Sequence, residues 1–266
     1  MRKSLSLEKV ISIDMKFELE VIAFDVESCH LAEENGADRI ELCANPHEGG
    51  TTPSFGMMKA ARKSTSLPVF PIIRPRGGDF LYSDKEYEAI KDDIKSSQDA
   101  GCDGVVIGIL TKDGDIDLER CQALVEMAGT QEVTFHRAFD RVKNPEISLE
   151  QIIAIGCKRI LTSGLCSTAI EGKTLLKKLI DQANERIIIM PGSGIRSENI
   201  ISLAIDTGAR AFHSSARTLR KSQMAYFNPR MNESLEQVSL DGEEVSRLRQ
   251  NLNDYFNKKV LNNDLA

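Results

Sequence analysis

Asn35–Leu42, NGADRIEL, is the stretch that decides how this chain folds. A polar segment ends in glycine, a small residue and a charged residue follow, and an apolar run begins. That is how a helix hands over to a strand. Gly36 stands where a helix C′ residue takes a left-handed φ, which glycine adopts without steric cost. The pattern returns as AGCDGVVI from Ala100, IGCKRILT from Ile155 and TGARAFHS from Thr207. Any helix-to-strand loop can look like this once, but four copies argue for repeated βα units.

Working outward, strands are expected at 17–23, 38–43, 68–74, 103–109, 132–137, 158–163, 186–191 and 210–214. The glycine-junction units are the second, fourth, sixth and eighth. Alternate strands of a closed eight-strand barrel fill alternate interior layers, so a two-stroke pattern fits a single α/β domain, a (β/α)8 TIM barrel. The 266 residues agree with that, since such a barrel typically fills about 250. An open doubly wound sheet is the competitor.

Helix starts are legible too. Thr52-Pro53 reads as a cap before a first-turn proline. Ser83 with Glu86 and Thr168 with Glu171 match capping boxes. The helix expected over 84–99 carries Tyr87, Ile90 and Ile94 at helical spacing, and 174–183 repeats this with Leu175, Leu176, Leu179 and Ile180. These stripes are core and carry no functional signal. Residues 1–15 form an N-terminal extension, read as a short helix over the barrel floor or as disordered. The barrel domain occupies 16–266, including a C-terminal extension from 219 to 266. Within it, 219–240 lacks clear periodicity and reads as a mobile surface loop, with a lid over the mouth as the alternative. A last helix is expected over 243–256.

Composition excludes several classes. A net charge of −6 gives no reason to expect nucleic acid or an anionic membrane as partner. No apolar run approaches the roughly 20 residues of a membrane-spanning helix. The opening MRKSLSLEKVISID has basic residues but no continuous apolar stretch, so no signal peptide is read. Six cysteines lie scattered without CxxC pairs, which suits reduced thiols in a cytoplasm.

The chemistry gathers where strands end. FPIIRPRGGDFLY, 70–82, is an apolar run stopped by Arg74, Arg76, Gly77, Gly78 and Asp79. The other expected strands carry Glu20, Glu41, His136 with Arg137, Thr162 with Ser163, and His213. In a TIM barrel these are the positions of catalytic side chains. Glu41 shares a strand face with Arg39, and His136 with Thr134. One reading makes Glu20, Glu41 or His136 a general acid or base beside an anion clamp of Arg74 and Arg76. The bland reading is a plug of ion pairs among Glu20, Glu41 and Arg74. Gly192, Ser193 and Gly194 after the seventh strand, with His213, Ser214, Ser215 and Arg217 at the eighth, occupy the corner where many such barrels bind phosphate through backbone N–H groups. Ser197 reads as a cap for the next helix. Glycine loops of this kind also serve as plain turns.

Several blocks together carry a resemblance. RIEL at 39–42, EGGTTPS at 48–54, RPRGGDFLY at 74–82, TFHRAFD at 134–140, LTSG at 161–164, MPGSGI at 190–195 and FHSSAR at 212–217 resemble the CutC family of copper-homeostasis proteins. The likeness runs from about Phe17 to Arg217. It implies a cytoplasmic TIM barrel that forms a homodimer or larger homo-oligomer. It also implies a role in copper handling, with no defined reaction. Cys43 matches a thiol position associated with copper in the family. A second thiol position is filled here by Ile22, and the usual Gly-Gly-Gly after strand seven is Gly-Ser-Gly. Cu(I) prefers soft sulfur ligands, and Cys29, Met57 and Met190 are the candidates to join Cys43, though none stands at close spacing. Cys43 and His47 also form a C-x₃-H spacing.

Two functions of different class therefore stand at this point. One is a copper-homeostasis protein binding Cu(I) through Cys43. The other is an enzyme acting on a small anionic substrate, a phosphorylated one included, by Glu and His acid–base chemistry.

Overall fold

The computed structural model describes residues 17–263, and side chains through 258. The expected N-terminal extension lies outside that range. All eight expected strands are present: β1 Glu18–Ala23, β2 Arg39–Leu42, β3 Val69–Pro71, β4 Gly104–Ile107, β5 Glu132–Phe135, β6 Arg159–Thr162, β7 Ile188–Pro191 and β8 Ala211–Ser214. Helices alternate with them: α1 Val26–Glu34, α2 Phe55–Ser64, α3 Asp84–Asp99, α4 Leu118–Ala128, α5 Pro145–Ala154, α6 Lys173–Ala183 and α7 Ile200–Thr207. Pairing is parallel throughout the barrel, in the orders β3-β2-β1-β8 and β4-β5-β6-β7. A bridge between Ile72 and Val106 joins β3 to β4, and β7 packs beside β8. The ring is thereby complete, and the open-sheet alternative is gone.

Two kinds of core follow from strand parity. The large apolar cluster lies between sheet and helices, built from alternate strand residues such as Leu19, Val21, Ile40, Val105, Phe135, Ile160 and Phe212. Inside the barrel two small apolar groups remain, Cys43–Phe70–Ile72–Val106 and Leu161–Met190–Ala211. Much of the rest of the interior is polar or charged, including Glu20, Arg39, Glu41, Thr134, Arg159 and His213.

Local starts differ in places. Ser83 and Glu86 form the expected reciprocal box at α3. Thr168 and Glu171 also bond reciprocally, but they hold a turn, and α6 begins at Lys173. At α2 the cap is Ser54, whose side chain accepts from the Met57 N–H; Thr52 instead accepts from the Arg74 N–H. The segment beyond β8 is more ordered than its sequence suggests. β9, Arg217–Arg220, pairs antiparallel with β10, Gln237–Leu240, around an exposed loop. The last helix, α8, is longer than expected and runs Gly242–Asn263. It packs against the barrel with Val245, Leu248, Leu252 and Phe256 buried.

Candidate functional site

Inward-facing residues climb the barrel in steps of two. At the lower level Arg39, Gly104, Arg159 and Ala211 each occupy the first position of an even-numbered strand. Two arginines thus share a level with two of the smallest residues. A Cβ on Gly104 would collide with the Phe70 ring and the Glu132 carbonyl. Glycine there lets Phe70 lie across the interior, and the Arg39 guanidinium stacks on that ring at 3.4 Å. Both arginines are balanced by acids from β1. Arg159 Nη2 is 2.6 Å from Glu18 Oε1, and Arg39 Nε is 2.6 Å from Glu20 Oε2. The ion-pair network inside the barrel is therefore real, but its cations are Arg39 and Arg159. Arg74, expected in that role, pairs with neither Glu20 nor Glu41.

Above this floor a chain of ionisable groups leads to the mouth. Glu20, 1% exposed, accepts from or shares a proton with His213 Nδ1 through Oε1 at 2.7 Å. His213 Nε2 stands 3.7 Å from Glu41 Oε2. Burial alone would raise the Glu20 carboxyl, but Arg39 and the His213 hydrogen bond outweigh it and hold it at about 2. Burial would lower His213, yet the Glu20 hydrogen bond and the charges of Glu41 and Glu20 raise it. Glu41 is pushed up to about 7, by burial first and by the Glu20 charge next. It makes no hydrogen bond to another described residue. Glu20 is thus held ionised, while its hydrogen bond and the two carboxyl charges bias His213 toward its charged form.

These side chains open into one cavity of about 210 Å³. Glu41, Cys43, Arg74, His136, Arg137, Ser193, Gly194, His213, Ser215 and Arg217 line it, with Ile22, Phe24, Ile72 and Phe80 supplying apolar wall. His136 and Arg137 do not continue β5. His136 caps a short 3-10 turn, Arg137–Arg141, and its Nδ1 accepts from the Ala138 N–H at 3.1 Å. Burial and the positive Arg74 push the imidazole down to about 3, so it is neutral. Its remaining proton then sits on Nε2, which is buried and has no partner among the described residues. Arg137 is held by Asp140 at 2.7 Å and by Ser163 Oγ at 3.2 Å.

The expected anion clamp is only partly assembled. Arg74 is buried and donates to the carbonyls of Glu48, Gly50 and Gly78, stitching two loops of the mouth. Its Nε–H has no acceptor, and no carboxylate of the described residues pairs with it. Arg76 turns away, bonded to Glu86 at 2.5 Å and Asp79 at 3.0 Å, and its place is the start of α3. Gly192 donates its N–H to the Thr162 carbonyl, and Ser214 Oγ donates to the Ile195 carbonyl, so neither is available. Ser197 binds Glu244 of α8 and caps nothing. Ser193 and Gly194, with φ of 85° and 73°, keep their N–H groups free of described partners, as does Ser215.

Metal-binding options can be tested on the same geometry. Cys43 is the one sulfur among the described lining residues. Its thiol is held well above its usual range, by burial first and then by Glu41 and Glu20. Cys29 sits on α1 bonded to the Asp25 carbonyl, Met190 Sδ accepts from Arg159 Nη1, Met57 belongs to α2, and exposed His47 lies outside the cavity. None of them joins Cys43. The cluster with metal-like spacing is Glu20, Glu41 and His213, a set of hard oxygen and nitrogen donors. Both oxygens of Glu20 already face His213 or Arg39. This donor set does not fit Cu(I).

Sequence reading missed Arg39 and Arg159 as partners of the β1 acids, and Arg137 with its Asp140 brace. The repeat held a signal, since Arg39 and Arg159 occupy one position of the junction pattern and Gly104 and Ala211 the same position in the other two copies.

Comparison with known proteins completes the picture. The CutC family model matches residues 17–218. A human protein named copper homeostasis protein cutC homolog is 50% identical over 212 residues, 80% of this chain and 78% of its own length. A CutC family protein of Bacteroides thetaiotaomicron is 50% identical over 228 residues, 85% of this chain and 89% of its own. The crystal structure of CutC from Streptococcus agalactiae superimposes with a TM-score of 0.72 at 33% identity, covering 75% of this chain and 98% of that one.

Proposed function

The chain belongs to the CutC family, and from that premise we propose that its barrel mouth binds a small organic anion and performs acid–base chemistry on it. The observation that carries this reading is Glu41. It is 3% exposed, faces a cavity and makes no hydrogen bond to another described residue, and burial with the Glu20 charge pushes its carboxyl up to about 7. A buried polar group without a partner costs roughly 1–3 kcal/mol. Glu41 has the His213 ion pair at 3.7 Å but no hydrogen bond among the described residues, and a ligand in the cavity can supply one. Around Glu41 the chemistry is consistent. Arg74, Arg137 and Arg217 place positive charge on the cavity wall, and free N–H groups at Ser193, Gly194 and Ser215 suit an anion. Glu41 is the proposed base or acid, poised by His213 and, one step further, by Glu20. His136 is the proposed neutral hydrogen-bond donor.

The names of the relatives favour a second reading, copper handling, in which Cys43 would be the ligand from this chain. A single buried thiol held in its protonated form supports it weakly. The two readings separate by experiment. Native mass spectrometry with metal analysis of the purified protein is expected to reveal a small organic anion released on denaturation. Cu(I) titration against a competing chelator is expected to show no stoichiometric site. Stoichiometric Cu(I) binding that disappears in Cys43→Ser, with no organic ligand, would reverse the order of the two.

A further inference from the structure

We propose that the chemistry at this mouth is proton abstraction beside a carbonyl group, in a small phosphorylated carbonyl compound, with Glu41 as base and His136 Nε2–H as donor to the carbonyl oxygen. This rests on the acid–base reading just given and narrows it to a reaction and a substrate class.

The tautomer of His136 is the first ground. Ala138 donates to Nδ1, so the neutral ring carries its proton on Nε2, which is buried without a partner among the described residues on a side chain that lines the cavity. A neutral imidazole, beside a cationic Arg74 that keeps it neutral, is a poor acid for expelling a leaving group. It is a good hydrogen-bond donor to an oxygen that gains charge without becoming protonated. A carboxylate base paired with such a donor is one arrangement that supports enediolate formation.

Glu41 is the second ground. It reaches the cavity from β2 while His136 reaches it from the end of β5. Both line the same cavity, so one bound compound can meet the base and the donor together. The step balances within the substrate. Glu41 takes the proton from the carbon next to the carbonyl, and the C–H electron pair becomes the C=C bond. The carbonyl π pair moves to oxygen, where Nε2–H stabilises it. Glu41 then returns a proton to the same carbon, which exchanges it with solvent; returned to the neighbouring carbon, with the hydroxyl proton of the enediolate passing from one oxygen to the other, it isomerises the compound. No oxidant, reductant or co-reactant is needed.

The third ground is a set of anion-binding groups on the same cavity. The Ser193, Gly194 and Ser215 N–H groups lack described partners, and Arg137 and Arg217 line the cavity with them. The ends of strands seven and eight are where barrels of this type hold a phosphate. The volume of about 210 Å³ lies below the roughly 300–1,000 Å³ of drug-sized sites, which limits the compound to a few carbons and one phosphate.

The test uses the full chain, with dihydroxyacetone phosphate and ribulose 5-phosphate as substrates and 2-phosphoglycolate as an enediolate mimic. In D₂O, proton NMR is expected to show loss of the α-proton signal of one substrate at least tenfold above the protein-free rate. Glu41→Gln is expected to abolish exchange while phosphorus NMR still detects 2-phosphoglycolate binding. His136→Gln is expected to slow exchange by about 10²–10³, as loss of one oxyanion donor does. Binding of 2-phosphoglycolate with no exchange of either substrate would overturn this inference and leave the acid–base mouth standing. Absence of binding by the folded parent protein would overturn both. Exchange that persists unchanged in Glu41→Gln would show that Glu41 is not the base.

Discussion

Replacing Arg39 with methionine probes the floor on which the site stands. Arg39 is 3% exposed, lies 2.6 Å from Glu20, stacks on Phe70 and reaches Thr134 at 3.4 Å. Methionine keeps most of the volume and leaves the Glu20 carboxylate facing only His213 and the more distant Arg159. Removing one member of a buried pair costs about 3–5 kcal/mol because the other charge stays behind. For a chain this size that is about 6–20 °C in Tm. The sign of the pH effect is distinctive. In the parent, Glu20 is held below its ordinary value of 4.5, so its ionisation stabilises the fold above that pH and is lost only as pH falls toward about 2. In Arg39→Met, burial opposes ionisation, so the deficit is largest at neutral pH and shrinks toward pH 5. Urea unfolding at pH 5, 6 and 7.5 measures this, and Arg39→Met combined with Glu20→Gln is expected to recover part of the loss. A deficit under about 1 kcal/mol, or a double variant no better than the single, would refute the reasoning that Arg39 neutralises a buried carboxylate.

Other perturbations follow from the same geometry. Glu41→Gln removes a carboxyl whose folded value, about 7, lies above its ordinary 4.5. That group's stabilising contribution is full below the ordinary value and is lost as pH rises through 7, so the variant is expected to gain on the order of 1–3 kcal/mol over the parent at pH 8 and nothing at pH 4.5, in a Tm series. His213, Glu20 and Arg39 face this group and stay in place. Gly104→Ala sets a methyl group against the Phe70 ring and the Glu132 backbone, and denaturant unfolding is expected to show a loss of about 1–3 kcal/mol or more. Brief iodoacetamide treatment of the native protein at pH 7.5 is expected to label Cys166, the half-exposed thiol, while the five buried cysteines react only on unfolding, as read by peptide mass spectrometry.

The fold was legible because its signal is repeated. Four glycine junctions and eight short apolar runs point to one closed sheet, and each of those runs is a strand. Boundaries were less legible. The polar residue after each run reads as part of the strand, yet His136 and Arg137 leave β5 for a 3-10 turn. Helix-breaking geometry of that sort has no strong sequence mark. At the mouth, Glu41, His136 and His213 could be found from strand-end position alone. Arg76 could not be separated from Arg74, because the two differ only in whether Gly77 and Gly78 let the chain turn Arg76 toward Glu86. The pairing of Glu20 with Arg39 was hidden for a different reason. It joins neighbours across a ladder, and register is not written in either strand by itself.

The ring of strands is laced unevenly. Ladders bind the staves into two groups of four, while the seam between β3 and β4 carries a single bridge and the seam beside β8 carries none. Across the β3–β4 line the backbone is held by the Ile73 N–H to Val106 and Asp103 N–H to Val69 bonds, fewer than within either group. Arg74 follows β3, and Ser193 follows β7, so both seams end at the rim of the cavity. Amide exchange is therefore expected to run faster along these two lines than within either group.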